Sequence, residues 1–274
     1  MILPLAVDYP YENKPWATIG LVTANVLIFF LTFGLSDSQL APFFLWPDRF
    51  APWQWWTSGF LHAGFLHLGG NMLFLWVYGR YVEERIGPAR FLLLYALFAP
   101  IESGVYILAN LGSDMPAIGA SGVISALMGV VIAAGPRSRV KTLIWWGPML
   151  RVLPINAGLI LGFWLLEQIA MVMVGVDGIA FSSHLGGFAA GAGMGLLMRY
   201  KLGGGWRMPE HLQSREDVDA RAKTMFYGDL AGYLRRGREA QDRPGASHIP
   251  EWLGSSPAVQ DPYEEEMLKR WDKR

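Results

Sequence analysis

The sequence predicts an all-α polytopic membrane protein, a bundle of six transmembrane helices followed by a cytoplasmic C-terminal tail. Six apolar segments can be marked, Trp16 to Phe33, Phe65 to Gly79, Phe91 to Leu111, Ser121 to Ala134, Ile155 to Val174 and His184 to Tyr200. Charge is partitioned to match: residues 1–200 hold 20 of the 46 charged side chains and residues 201–274 the other 26, which separates a membrane domain from a polar tail. Lys and Arg alternate between connections: Lys14, Arg80, Arg85, Arg90, Arg137, Arg139, Lys141, Arg151 and Arg199 fall on one side, and only Arg49 on the other. Nine against one places both termini in the cytoplasm, and a count of five or seven spans would mix the two sets. The chain is therefore read as a cytoplasmic segment 1–15, a six-span domain 16–200 and a tail 201–274.

The first fifteen residues carry Asp8, Glu12 and Lys14 before any apolar run and do not read as a removable signal, so Trp16 to Phe33 is expected to be the first span. The connection from Gly34 to Gly64 is rich in Trp, Phe and Pro, a composition suited to the outer interface, where an aromatic ring keeps one wet edge. The fourth segment, Ser121 to Ala134, is too short to cross from surface to surface, since ~30 Å of hydrocarbon takes about 20 helical residues. Ser121 is thus expected beneath the membrane surface, on a helix that starts from the outer side. In the tail, Ser214 with Asp217 fits a capping box for a helix from Arg215 to Arg236, Arg243 to Asp261 reads as linker, and Glu264 to Arg274 reads as a short charged helix.

Several function classes are excluded or disfavoured. Zero net charge without a basic face leaves no footprint for nucleic acid, and the absence of cysteine removes thiolate nucleophiles and Cys-rich metal sites. No metal site or cofactor is expected: His62, His67 and His184 lack a His-Glu-x-x-His pattern or a supporting Asp. A transporter would be expected to show repeat symmetry and broken helices, which are not evident.

Polar groups inside the apolar segments concentrate at three outer ends: His62, His67 and Asn71 before and within the second, Ser121 heading the fourth, and His184 heading the sixth. A hydroxyl and a histidine supply the nucleophile and the base of acyl transfer, and a helix start offers unpaired N–H groups to an oxyanion, which His67 and Asn71 can supplement. Each group also has a plainer reading. Gly119-Ala120-Ser121-Gly122 taken alone is more readily a close-packing motif, whereas His184 reads equally as an interior histidine and His67 with Asn71 equally as a structural pair. Gly187, Gly191 and Gly195 lie on one helical face and are packing residues in either case.

The motifs together resemble the rhomboid family of intramembrane serine proteases over residues 16–200. His62-Ala-Gly-Phe-Leu-His67-Leu-Gly-Gly-Asn71, Gly119 to Gly122, and His184 with Gly187 and Gly191 stand in the family's order, as do Glu83, Arg85 and Gly87. The resemblance implies a serine endopeptidase that cuts single-pass membrane proteins in or near their transmembrane segment. It implies Ser121 as nucleophile, His184 as general base, and His67, Asn71 and the Ser121 N–H as oxyanion hole. His62 is implied as a hydrogen-bonder in the first connection, and Glu83 and Arg85 as cytoplasmic hydrogen-bonding residues. The implied setting is a cell membrane of bacterial inner-membrane type. Trp53-Gln54 replaces the Trp-Arg pair common in the first loop, and Ser125 stands where some members place an aromatic beneath the histidine, so another residue must hold His184. The fifth segment, with Trp164 and Glu167, is expected to be a mobile wall beside the second. The alternative to a protease is a noncatalytic binder of transmembrane helices that uses the same groove.

Overall fold

A computed structural model describes residues 2–146, 149–174 and 180–201. Contacts divide the chain into Met1–Arg207 and Met208–Arg274, and all described residues belong to the first unit. The expected tail helices and linker lie outside the described residues.

The described residues are mostly helical. After strand β1 (Ile2–Val7), helix α1 (Trp16–Thr32) is followed by a connection holding two short helices, α2 (Asp37–Leu40) and α3 (Gln54–Thr57). Helix α4 (Phe65–Phe74) continues through a π turn at Leu75–Gly79 into α5 (Arg80–Ile86), so the second apolar segment runs seven residues beyond Gly79 as helix. Gly87, at φ +81°, then reverses the chain into α6 (Pro88–Ala109). Helix α7 (Ser121–Ala134), strands β2 (Arg139–Trp146) and β3 (Met149–Asn156), α8 (Ala157–Val174) and α9 (Phe181–Lys201) complete the order.

By length and composition, α6 and α8 are able to cross a membrane. A third candidate is the pair Gln54–Phe60 and Phe65–Ile86, bent by 105° at the residues between them. Helix α1 and helix α7 are apolar but shorter.

The expectation of an all-α protein is corrected by a three-stranded antiparallel sheet in the order β1-β2-β3. Val7 pairs with Val140, and Val140 with Ile155. Its physical basis is a period of two: Val140 and Thr142 are fully buried while Lys141 between them is exposed. Lys141 reaches Asp8 at 3.2 Å across the β1-β2 pair. The connection that carries Arg139, Lys141 and Arg151 is thus a pair of strands, and residues 1–15 are partly built into the same sheet.

The sheet marks one end of the helical unit. At that end the buried Glu83 carboxylate accepts the N–H groups of Ala17 and Thr18 at 2.9 and 2.7 Å and the Thr18 hydroxyl at 2.7 Å. Pro15, the residue before α1, offers no side-chain cap, so Glu83 satisfies two orphan donors of α1 from a distant helix. Arg85 donates to the Tyr9 hydroxyl at 2.9 Å.

Helices α7 and α9 form the tightest pair. A Cβ on Gly187 would collide with the Gly122 carbonyl oxygen, one on Gly191 with the Ala126 carbonyl, and one on Gly129 with the Phe188 carbonyl. The two backbones touch, which only glycine permits at these positions.

Candidate active site

At the end away from the sheet, the lead-in to α7 is fixed from two sides. Leu45 and Ala117 exchange backbone hydrogen bonds at 3.1 and 2.9 Å, and the Gly119 N–H donates to the Ser58 carbonyl at 2.9 Å. Gly119 adopts φ +114°, a conformation that strains any residue with a Cβ, and such a Cβ would also lie 2.7 Å from His67 Nε2 and 3.4 Å from Asn71 Nδ2. The turn delivers Ser121 to the first position of α7, where backbone N–H groups have no intrahelical partner.

Ser121 Oγ lies 2.8 Å from His184 Nε2, although the residues are 63 apart in sequence. His184 is the fourth residue of α9, and the glycine contacts below it bring that helix against α7. The other ring nitrogen, Nδ1, is 2.7 Å from Gln168 Oε1 on α8. A carboxamide oxygen only accepts, so Nδ1 carries the proton and Nε2 of the neutral ring is left as acceptor for the Ser121 hydroxyl. Trp164, one turn before Gln168, lies tilted against the ring with centroids 6.1 Å apart, and Phe181 meets it edge-on at 6.3 Å. Ser125 instead turns its hydroxyl to the Ser121 carbonyl at 2.6 Å. Support for His184 therefore comes from α8 rather than from the turn after Ser121.

Two donors converge beside Gly119. Asn71 is 7% exposed, and its Nδ2 is buried without a hydrogen-bond partner among the described residues. His67 Nδ1 accepts the Ala63 N–H at 3.3 Å, so in the neutral ring Nε2 carries the proton and faces Gly119 as a donor. Asn71 sits one turn after His67 on α4, which aligns the pair on one helical face. His62 packs its ring edge-on against His67 with centroids 5.1 Å apart. No side chain among the described residues hydrogen-bonds the His62 ring nitrogens.

The arrangement therefore holds a hydroxyl, a base with a fixed tautomer, and donors facing the residue two before the hydroxyl. Nucleophilic acyl transfer requires groups of these kinds. Gln168, 6% exposed, is a residue of this arrangement that sequence reasoning missed. Its signal is helical spacing: Ala157, Leu161, Trp164 and Gln168 follow at intervals of four, three and four on one stripe of α8. Glu167, singled out in the sequence, is exposed on another face. Among the described residues no group of three or more His, Cys, Asp or Glu side chains is arranged to hold a metal ion.

Comparison with known proteins agrees in family. A family model described as "Rhomboid domain" matches residues 49–201, more than half of the chain. "Rhomboid protease GlpG" of Yersinia pestis (strain Pestoides F) is 29% identical over 128 residues, covering 44% of this chain and 44% of that protein. The protein of the same name from Serratia proteamaculans (strain 568) matches with the same identity and coverage. The chain matches less than half the length of these curated relatives. The family match and the apolar helices α6 and α8 mark a multi-pass membrane protein, and the chain belongs to the rhomboid family.

Proposed function

We propose that the protein is an intramembrane serine endopeptidase that cleaves transmembrane segments of single-pass membrane proteins through Ser121 and His184. The observation that carries this reading is the 2.8 Å contact between Ser121 Oγ and His184 Nε2, supported by Asn71 Nδ2, which lacks a hydrogen-bond partner among the described residues and faces Gly119. Ser121 Oγ attacks the scissile carbonyl carbon and passes its proton to Nε2. Gln168 keeps the Nδ1 proton in place while the ring becomes positively charged. Asn71 Nδ2, His67 Nε2–H and the Ser121 N–H hold the developing oxyanion. His184 returns the proton to the leaving amine, and water then hydrolyses the acyl-enzyme by the same steps in reverse order.

The substrate helix must unwind before its peptide bond can be attacked, which favours helix-destabilising residues beyond the cut. In this reading α1, α4 with α5, α6, α7, α8 and α9 are the six spans, both termini are cytoplasmic, and water reaches Ser121 from the outer face of a cell membrane. Helix α8 is the wall through which substrate arrives. GlpG relatives carrying the word protease in their names support the activity class.

The test is cleavage by the purified chain in liposomes of a helix-destabilised transmembrane substrate. Wild type is expected to release two fragments and Ser121→Ala none. Binding of the substrate without cleavage by wild type would favour a noncatalytic binder, and fragments identical in both would remove Ser121 from the reaction.

A further inference from the structure

Glu102 is a carboxyl group in the interior of an apolar helix, 6% exposed, and the steps above make no use of it. Burying such a group is costly unless its oxygens are satisfied, so its partners indicate what it is for. Ser183 donates its hydroxyl to Oε2, and Ser103 donates to Oε1 at 3.2 Å. The carboxyl group also fills the space beside Gly122, where a Cβ would collide with Oε2, with Cδ and with the Ser183 hydroxyl.

Those contacts have a common address. Ser183 immediately precedes His184, and Gly122 immediately follows Ser121. Gly122 is the second residue of α7 and Ser183 the third of α9, so both lie in first helical turns, where the helix presents unpaired N–H groups and the positive end of its dipole. One side chain of α6 thus meets the starts of the two helices that carry the nucleophile and the base.

We propose that Glu102 is a positioning residue, which holds the first turns of α7 and α9 in register and so keeps Ser121 and His184 within hydrogen-bonding distance. This rests on the protease reading above. The glycine contacts, from Gly187 against Gly122 downward, set the spacing of the two helices, and Gln168 sets the rotation of the imidazole. Neither fixes how far one helix start slides past the other. Glu102 does, because its carboxyl group is wedged against Gly122 while bonded to Ser183.

The test uses the full chain in liposomes with the helix-destabilised transmembrane substrate, comparing wild type, Glu102→Gln, Glu102→Leu and Ser183→Ala. A displacement of about 1 Å between reacting groups costs on the order of 100-fold, so Glu102→Leu is expected to lower kcat by that order with KM little changed. Glu102→Gln keeps an oxygen that accepts from Ser183 and is expected to retain most of kcat. Ser183→Ala removes the bond but leaves the wedge and is expected to fall between them. A Glu102→Leu enzyme with wild-type kcat overturns the inference, as does an equal loss in Glu102→Gln. Should Glu102→Leu fail to fold, Ser183→Ala decides: wild-type kcat there overturns the inference. A wild type that leaves substrate intact overturns the protease reading itself, whereas active wild type with unaffected variants overturns only the role of Glu102.

Discussion

Gly191→Ala adds one methyl group where α7 and α9 touch, and its effect can be worked from the structure. The new Cβ would lie 2.7 Å from Ala126 Cα and would collide with the Ala126 carbonyl oxygen. Carbon atoms in relaxed contact stand about 3.5 to 4.0 Å apart, so the helices must separate by roughly 1 Å. Backbone meets backbone there, so no side chain can rotate out of the way, and overpacking of this kind costs about 1 to 3 kcal/mol. The same displacement, carried up two turns to His184, takes its Nε2 out of hydrogen-bond reach of Ser121 Oγ, now 2.8 Å away. A loss of about 100-fold in kcat is expected. Gly193→Ala is the control, since a Cβ there meets nothing within 4 Å although the residue is on the same helix. Thermal unfolding in detergent and cleavage of the transmembrane substrate are measured on both variants. Gly191→Ala should unfold earlier and turn over slowly, and Gly193→Ala should do neither. If both variants behave alike in stability and rate, the close approach does not set the geometry of the site.

Three further outcomes are expected. Gln168→Leu removes the acceptor for His184 Nδ1 and should lower kcat by at least about tenfold with little change in KM, because the ring loses its fixed tautomer; a KM effect alone would point to substrate contact instead. Asn71→Ala should cost about 100-fold or more in kcat as one oxyanion donor is lost, measured at saturating substrate, and a wild-type rate would take Asn71 out of the hole. Glu83→Ala strips the cap from α1 and orphans the buried N–H groups of Ala17 and Thr18. It should destabilise the protein by about 1 to 3 kcal/mol in detergent unfolding, and an unchanged midpoint would show that other groups satisfy those donors.

Helix positions were legible because each long helix coincides with a predominantly apolar run set off by charged or Pro- and Gly-bearing connections. Five of the six segments correspond within about three residues to α1, α6, α7, α8 and α9, and the second, ending at Gly79, continues as helix through α5 to Ile86. The sheet was not read, because Arg139, Lys141 and Arg151 attract attention as topology markers and obscure the alternation of Val140 and Thr142 with them. Ile155 looked like the start of the fifth apolar segment but pairs with Val140, and helix begins only at Ala157. At the site, Ser121, His67, Asn71 and His184 stood out as polar groups in apolar surroundings. Gln168 did not, because Glu167 beside it carries the charge, and only the spacing from Leu161 and Trp164 tells which of the two turns inward. Glu102 was passed over as one charge among twenty, although a carboxyl group within an apolar run is itself a signal. Ser183 and Gly122, the two helix starts it meets, are 81 and 20 residues away, and no local pattern announces a contact made only by folding.

Activation of Ser121 by His184 is read directly by a fluorophosphonate, which forms a covalent bond only to an activated hydroxyl. Intact-mass analysis of the detergent-solubilised chain, followed by peptide mapping, is expected to find one adduct, on Ser121, in wild type. Ser121→Ala and His184→Ala should remain unmodified under the same exposure. An unmodified wild type, or an adduct that persists in His184→Ala at the wild-type rate, would contradict that activation.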